Sequence, residues 1–166
     1  MVVIDYELKK KVMDAHIKDT IKYCYQCAHC TDVCPVAKVT DGRYNPRTLI
    51  LNSFLGLKET IFRGKEDNFN IWGCTVCDSC DESCPQKIEL TEIFAVLKNM
   101  SIRLEEGPDH YTGQASAVYD FGKAIPSQPA IERRRTQFGL PAVIPPNIEE
   151  VQKILIETKL SKTLNK

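Results

Sequence analysis

The 166-residue chain has no long hydrophobic run: nothing in it approaches the roughly 20 apolar residues that cross a bilayer. The opening MVVIDYELKKKVMD also sets charges where a secretory signal needs an uninterrupted apolar stretch, so membrane insertion is not expected and the chain is read as cytoplasmic. Neither sign of charge is in excess, with 22 basic and 22 acidic residues giving a formal net charge of +0. Such a chain has no broad attraction for nucleic acid or anionic lipid, and a nucleic-acid role is set aside. The phosphate-cradling patterns G-x-G-x-x-G and G-x-x-x-x-G-K-[ST] are both missing, which removes sequence support for a nucleotide or flavin site. No segment alternates apolar and polar residues as a strand does, so the fold is expected to be mainly α.

No cysteine stands outside two short clusters. All eight fall in YCYQCAHCTDVCP (23–35) and WGCTVCDSCDESCP (72–85). Cys24, Cys27, Cys30 and Cys34 followed by Pro35 spell C-x2-C-x2-C-x3-C-P, and Cys74, Cys77, Cys80 and Cys84 followed by Pro85 spell it again, fifty residues later. That run is typical of bacterial 4Fe-4S ferredoxins. A cubane needs one outside thiolate on each iron. Three cysteines at two-residue gaps let one tight loop wrap three corners, its amides turned toward the sulfurs. A more distant cysteine must reach the fourth corner, and the proline after it turns the chain away. In two-cluster proteins the fourth cysteine of each run serves the other run's cluster. By that rule one cluster takes Cys24, Cys27, Cys30 and Cys84, and the other takes Cys74, Cys77, Cys80 and Cys34. Structural zinc is the competing reading, since each run contains C-x2-C pairs, but zinc sites have no use for a third cysteine at the same interval. Disulfides fit poorly with a reducing cytosol. No thiol is left over for a nucleophile, so the chain is expected to relay electrons without a substrate site.

Three domains are expected: a helical lead-in over 1–22, a double-cluster domain over 23–106, and a helical and extended docking region over 107–166. Leu8, Val12, Ile17 and Ile21 give the lead-in its helical spacing. Between the runs, Asn45 and Pro46 signal a helix start and Gly56 a stop, predicting a helix over 46–55. Ile93, Phe94, Val96, Leu97, Met100, Ile102 and Leu104 predict another that closes before Gly107 and Pro108. Residues 110–124 form a further candidate, weakened by Gly113 and Gly122. The stretch 125–146 carries five of the nine prolines and reads as an extended arm. A last helix is predicted from Asn147, which forms an N-x-x-E cap with Glu150, to about Leu160.

The phrases YCYQCAHCTDVCPV, YNPRTLI (44–50) and IWGCTVCDSCDESCPQ (71–86), with the helix after them, resemble the C subunit of the heterodisulfide reductase of methanogenic archaea over roughly residues 20 to 105. The resemblance implies an alpha-helical ferredoxin holding two 4Fe-4S clusters within a soluble complex. It also implies two partners: a flavin-containing, electron-bifurcating A subunit, and a catalytic B subunit that reduces the mixed disulfide CoM-S-S-CoB in methanogenesis. A hydrogenase or formate dehydrogenase would supply the flavoprotein. Similar proteins occur in bacterial sulfur-oxidising complexes, and a free dicluster ferredoxin or a zinc-stabilised interaction module remain as alternatives. Related double motifs in fumarate reductase normally follow an N-terminal plant-type ferredoxin domain, which is absent here.

Secondary features have two readings each. His29 could donate to a cluster sulfur or simply face solvent. Trp72 could shield the second cluster or be a packed aromatic. Arg133, Arg134 and Arg135 could grip an acidic partner or form a solvated run. His16 and His110 have no ligand-like company and are read as surface.

Overall fold

The computed structural model describes residues 3–14, 20–164 and 166. Among them there are helices and turns but no strand. The chain divides into two compact units, Met1–Gly107 and Pro108–Lys166.

In the first unit, α1 (Tyr6–Asp14) buries Leu8 and Val12. Asp5 starts it by accepting the Leu8 backbone N–H on Oδ1 at 2.9 Å. The lead-in position Ile17, and His16, read from the sequence as surface, lie outside the described residues, and the chain resumes as a 3-10 turn, Thr20–Tyr23, with Ile21 buried. Two short helices follow, α2 (His29–Asp32) and α3 (Pro35–Val39), and then α4 (Pro46–Leu55). As the sequence predicts, Asn45 caps α4 by accepting the Thr48 N–H at 3.1 Å, Pro46 opens it, and Gly56 ends it in the left-handed region at φ 71°. Three more short helices, α5 (Lys58–Ile61), α6 (Phe69–Trp72) and α7 (Ser79–Glu82), lead to the long α8 (Leu90–Arg103). α8 packs against α1, α4, α6 and α7, and its Ile93, Phe94 and Leu97 are at most 1% exposed. Through α7 this helix carries the second cysteine loop, while α2 of the first loop packs on α4 and α7.

Gly56 ties the start of the unit to its middle. The Asp5 N–H donates to the Gly56 carbonyl at 2.8 Å, and a Cβ at Gly56 would come within 2.5 Å of the Asp5 carbonyl oxygen. Gly56→Ala therefore meets both a left-handed backbone and a backbone clash, and is expected to destabilise the unit by about 2–4 kcal/mol in anoxic chemical denaturation.

The second unit is thinner. α9 (Asp109–Phe121) and α11 (Ile148–Glu157) pack together, and α12 (Leu160–Thr163) packs on α11, yet α9 and α11 contain no fully buried residue. Gly122 does not weaken α9 from inside: it ends the helix in the left-handed region at φ 66°. Asn147 caps α11 as expected, accepting the Glu150 N–H at 3.3 Å. The extended arm over 125–146 needs correction, because it contains a helix, α10 (Pro129–Gln137). Proline is harmless at a first helical position, where no intrahelical donor is needed. Glu132 in the first turn and Arg134 and Arg135 in the last complement the helix dipole. Residues 126–128 and 140–147 run without regular structure, the second stretch held by Arg135 Nη2 donating to the Pro141 carbonyl at 2.9 Å.

Candidate metal centres

The repeated spelling of the two runs is matched by repeated backbone geometry. Two and four residues after the first cysteine, each loop enters the left-handed region: Gln26 (φ 61°) and Ala28 (φ 73°) in one, Val76 (φ 54°) and Asp78 (φ 59°) in the other. None of these is glycine, so each carries a backbone cost of about 1–2 kcal/mol. Alternating handedness turns successive N–H groups to one side and forms a concavity suited to negative charge. The third cysteine of each run then sits on one helical turn, Cys30 on α2 and Cys80 on α7, and these two turns pack together. Each fourth cysteine stands before its proline and already accepts backbone donors. Cys34 Sγ takes the Ala37 N–H at 3.5 Å, and Cys84 Sγ takes the Ile88 N–H at 3.4 Å.

A small cavity brings Cys34 together with Cys74, Cys77 and Cys80, lined also by Tyr44 and Phe94. Burial pushes the Cys80 thiol well above its ordinary range, and the Asp81 carboxylate and the sulfurs of Cys74 and Cys30 add to the rise. Cys77 is exposed, and hydrogen bonding to Ser79 lowers its pKa. In the first loop burial pushes Cys30 up to about 11, with Thr31 opposing and Cys24 and Cys27 reinforcing. Tyr25 has its phenol raised by desolvation first and then by Cys27 and Cys84, which brings Cys84 of the second run beside the first loop. Thiolates crowded and buried in this way need positive charge between them, and iron supplies it. Tyr44 fits the same conclusion. It is 1% exposed, its hydroxyl has no hydrogen-bond partner among the described residues, and burial first, then the nearby Cys74, Cys34 and Cys80, push its phenol up.

The linker phrase YNPRTLI now has a physical reading. Tyr44 and Pro46 line the cysteine cavity. Asn45 Oδ1 accepts from Thr31 Oγ1 at 3.0 Å as well as from the Thr48 N–H, locking α4 onto α2. Arg47 Nε donates to Gln26 Oε1 at 3.1 Å. Asn45→Ala removes a helix cap and this cross-link together, and is expected to cost about 1–2 kcal/mol and to speed cluster loss from the first loop, read as bleaching of visible absorbance. Asp81 performs a similar task for the second run: its carboxylate accepts from the Leu90 N–H at 2.7 Å and from Thr91 Oγ1, pinning α7 to the start of α8. Sequence patterning assigns no individual role to Tyr44, Gln26, Arg47 or Asp81, because their roles depend on what the fold brings near them.

His29 and His110 are exposed. Trp72 packs against the core and α8, its Nε1 donating to Ser101 Oγ at 3.1 Å. Its neighbour Lys98 donates to the Cys74 carbonyl at 2.7 Å. Of the three arginines, Arg135 is engaged within its own segment, whereas Arg133 and Arg134 are exposed.

Residues 20–88 match a family described as a 4Fe-4S dicluster domain. Across 164 residues the chain is 34% identical to the second iron-sulfur C subunit of the CoB-CoM heterodisulfide reductase of Methanocaldococcus jannaschii, covering 95% of this chain and 84% of that one. The chain belongs to the C-subunit family of heterodisulfide reductases. Two further members agree. The C subunit of the H(2):CoB-CoM heterodisulfide,ferredoxin reductase of Methanothermobacter marburgensis is 31% identical over 162 residues, 93% of this chain and 83% of that one. The iron-sulfur C subunit of the CoB-CoM heterodisulfide reductase of Methanopyrus kandleri is 27% identical over 164 residues, 95% and 82%. This member of the C-subunit family therefore carries two 4Fe-4S clusters, each of which takes up and returns single electrons, and it serves electron transfer within an oxidoreductase complex. All eight cysteines are free of disulfides, and the 4Fe-4S dicluster match favours iron-sulfur clusters over zinc. Among the described residues no helix is long and apolar enough to cross a membrane.

Proposed function

We propose that this protein relays electrons from a flavin-containing, bifurcating A subunit to a catalytic B subunit, which reduces the CoM-S-S-CoB heterodisulfide in methanogenesis. The chain itself has no substrate site. The observation that carries this reading is the commitment of every thiol to the two loops and their two returning cysteines. In the proposed ligation, one cluster is held by Cys24, Cys27, Cys30 and Cys84 and the other by Cys74, Cys77, Cys80 and Cys34. The cavity that groups Cys34 with Cys74, Cys77 and Cys80 supports the second set, and the nearness of Cys27 and Cys84 to Tyr25 supports the first. Shared α2–α7 packing keeps the two loops close, which suits a wire.

A hydrogenase or formate dehydrogenase supplies the flavoprotein. The names of relatives from Methanothermobacter marburgensis, with H(2), and Methanococcus maripaludis, with H(2)/formate, support that supply. The complex works in the cytoplasm. Residues 1–22 form the lead-in and 23–106 the cluster domain, while 107–166 dock the chain to its partners. Exposure of Ile125 (72%), Phe138 (76%) and Ile144 (86%) supports the docking role, since a free ferredoxin has no use for such apolar surface. Anoxic co-purification from native cells tests the proposal. A flavoprotein and a cysteine-rich catalytic protein are expected to accompany the chain. Isolation as a lone monomer would favour a free dicluster ferredoxin instead.

A further inference from the structure

The two cysteine loops share their backbone path but differ in chemistry at one matched position. Two residues after the first cysteine, the first loop has Gln26 and the second has Val76, at φ 61° and 54°. Gln26 Nε2 donates to Cys24 Sγ at 3.2 Å. At the other end of the same amide, Oε1 accepts from Arg47 Nε at 3.1 Å. This fixes which way the amide points. A guanidinium has only donors to offer, so the oxygen must face Arg47 and the NH2 group must face the sulfur. Val76 offers Cys74 Sγ only its backbone N–H, at 3.4 Å; its side chain has no polar atom and the residue is 51% exposed.

We infer that Gln26, oriented by Arg47, raises the reduction potential of the cluster that Cys24 ligates. This rests on the ligation proposed above. Reduction adds one electron to the cluster, and an N–H donor on a ligand sulfur stabilises the added negative charge. The guanidinium polarises the amide and strengthens that donor. Arg47 is itself exposed, so water and salt screen its direct influence, and its effect passes mainly through Gln26. Gln26 is thus the tuning group and Arg47 its positioning residue. Raising one member of a two-cluster wire biases where a single electron rests.

The test uses the full chain purified anoxically with its clusters, with both midpoint potentials followed by EPR during a redox titration. Gln26→Leu is expected to lower one potential by roughly tenfold in the one-electron equilibrium, about 59 mV, and to leave the other in place. Arg47→Met is expected to lower the same potential by less. In a Gln26→Leu background, Arg47→Met is expected to add nothing, because the relay is already broken. Potentials that stay put in both single variants overturn the inference, as does an Arg47→Met shift of equal size with or without Gln26. Should Gln26→Leu lose iron, Arg47→Met decides alone, since it leaves the side chains of the ligand loop intact. Iron content separates the two levels: a wild-type chain without about eight iron atoms defeats the cluster reading itself, whereas full iron with unmoved potentials defeats only the tuning.

Discussion

Cys34→Ala is expected to halve the iron of the chain, from about eight atoms to about four, and the lost cluster is the one on the far loop, not the one beside it. Cys34 lies in the run that begins at Cys24, yet the cavity groups its side chain with Cys74, Cys77 and Cys80. Its structural role is small: the Ala37 N–H meets Sγ at 3.5 Å, a weak cap, so the first unit is expected to keep its fold. Alanine is preferred to serine because an oxygen can sometimes stand in for a thiolate. Pairs of substitutions identify the cluster without any spectral assignment. If ligation is crossed, Cys34→Ala with Cys77→Ala removes two ligands of one cluster and leaves about four irons, while Cys34→Ala with Cys27→Ala strikes both clusters and leaves almost none. Local ligation reverses the two outcomes. Iron and sulfide analysis of anoxically purified protein reads the difference directly, and the reversed pattern would sink the crossed assignment.

Sequence makes the ligands and the long helices legible because both depend on near neighbours. C-x2-C-x2-C-x3-C-P fixes a loop within eleven residues, and the Asn45–Pro46 start and Gly56 stop fix α4 by local hydrogen bonding and steric preference. α8 is legible from the spacing of Ile93, Phe94 and Leu97, whose burial the structure bears out. Over the arm, proline density misleads: it suggests extension, although Pro129 stands where a helix accepts proline, and the charges of α10 are ordered along its dipole. Other features stay hidden because nothing local encodes them. The meaning of Arg47 depends on Gln26, twenty-one residues earlier, and Asn45 finds Thr31 fourteen residues back. The left-handed conformations of Gln26, Ala28, Val76 and Asp78 show only through the repeat, since their residue types do not favour such conformations uniformly.

Tyr44 joins these levels, and its removal is expected to be the most damaging substitution that leaves every ligand in place. The ring is 1% exposed, lines the cavity with the four sulfurs, and meets Phe69 edge-on at 6.4 Å between centroids. Gly73, just before Cys74, approaches so closely that a Cβ there would lie 2.9 Å from Tyr44 Cδ2. Tyr44→Ala therefore leaves a large void against the second cysteine loop, at a cost of about 3–5 kcal/mol. Against a total stability of about 5–15 kcal/mol for a typical domain, that loss is expected to open the cavity to water and release its cluster first. Tyr44→Phe is the control. It keeps the ring and deletes a hydroxyl with no hydrogen-bond partner among the described residues, so the polypeptide fold is expected to change by less than about 1 kcal/mol. Anoxic thermal unfolding should separate the pair clearly, at roughly 4–8 °C per kcal/mol for a unit of this size. If Tyr44→Ala melted with the wild type and kept its iron, the ring would be a bystander, and the cavity would owe its shape to α8 and the cysteine loops alone.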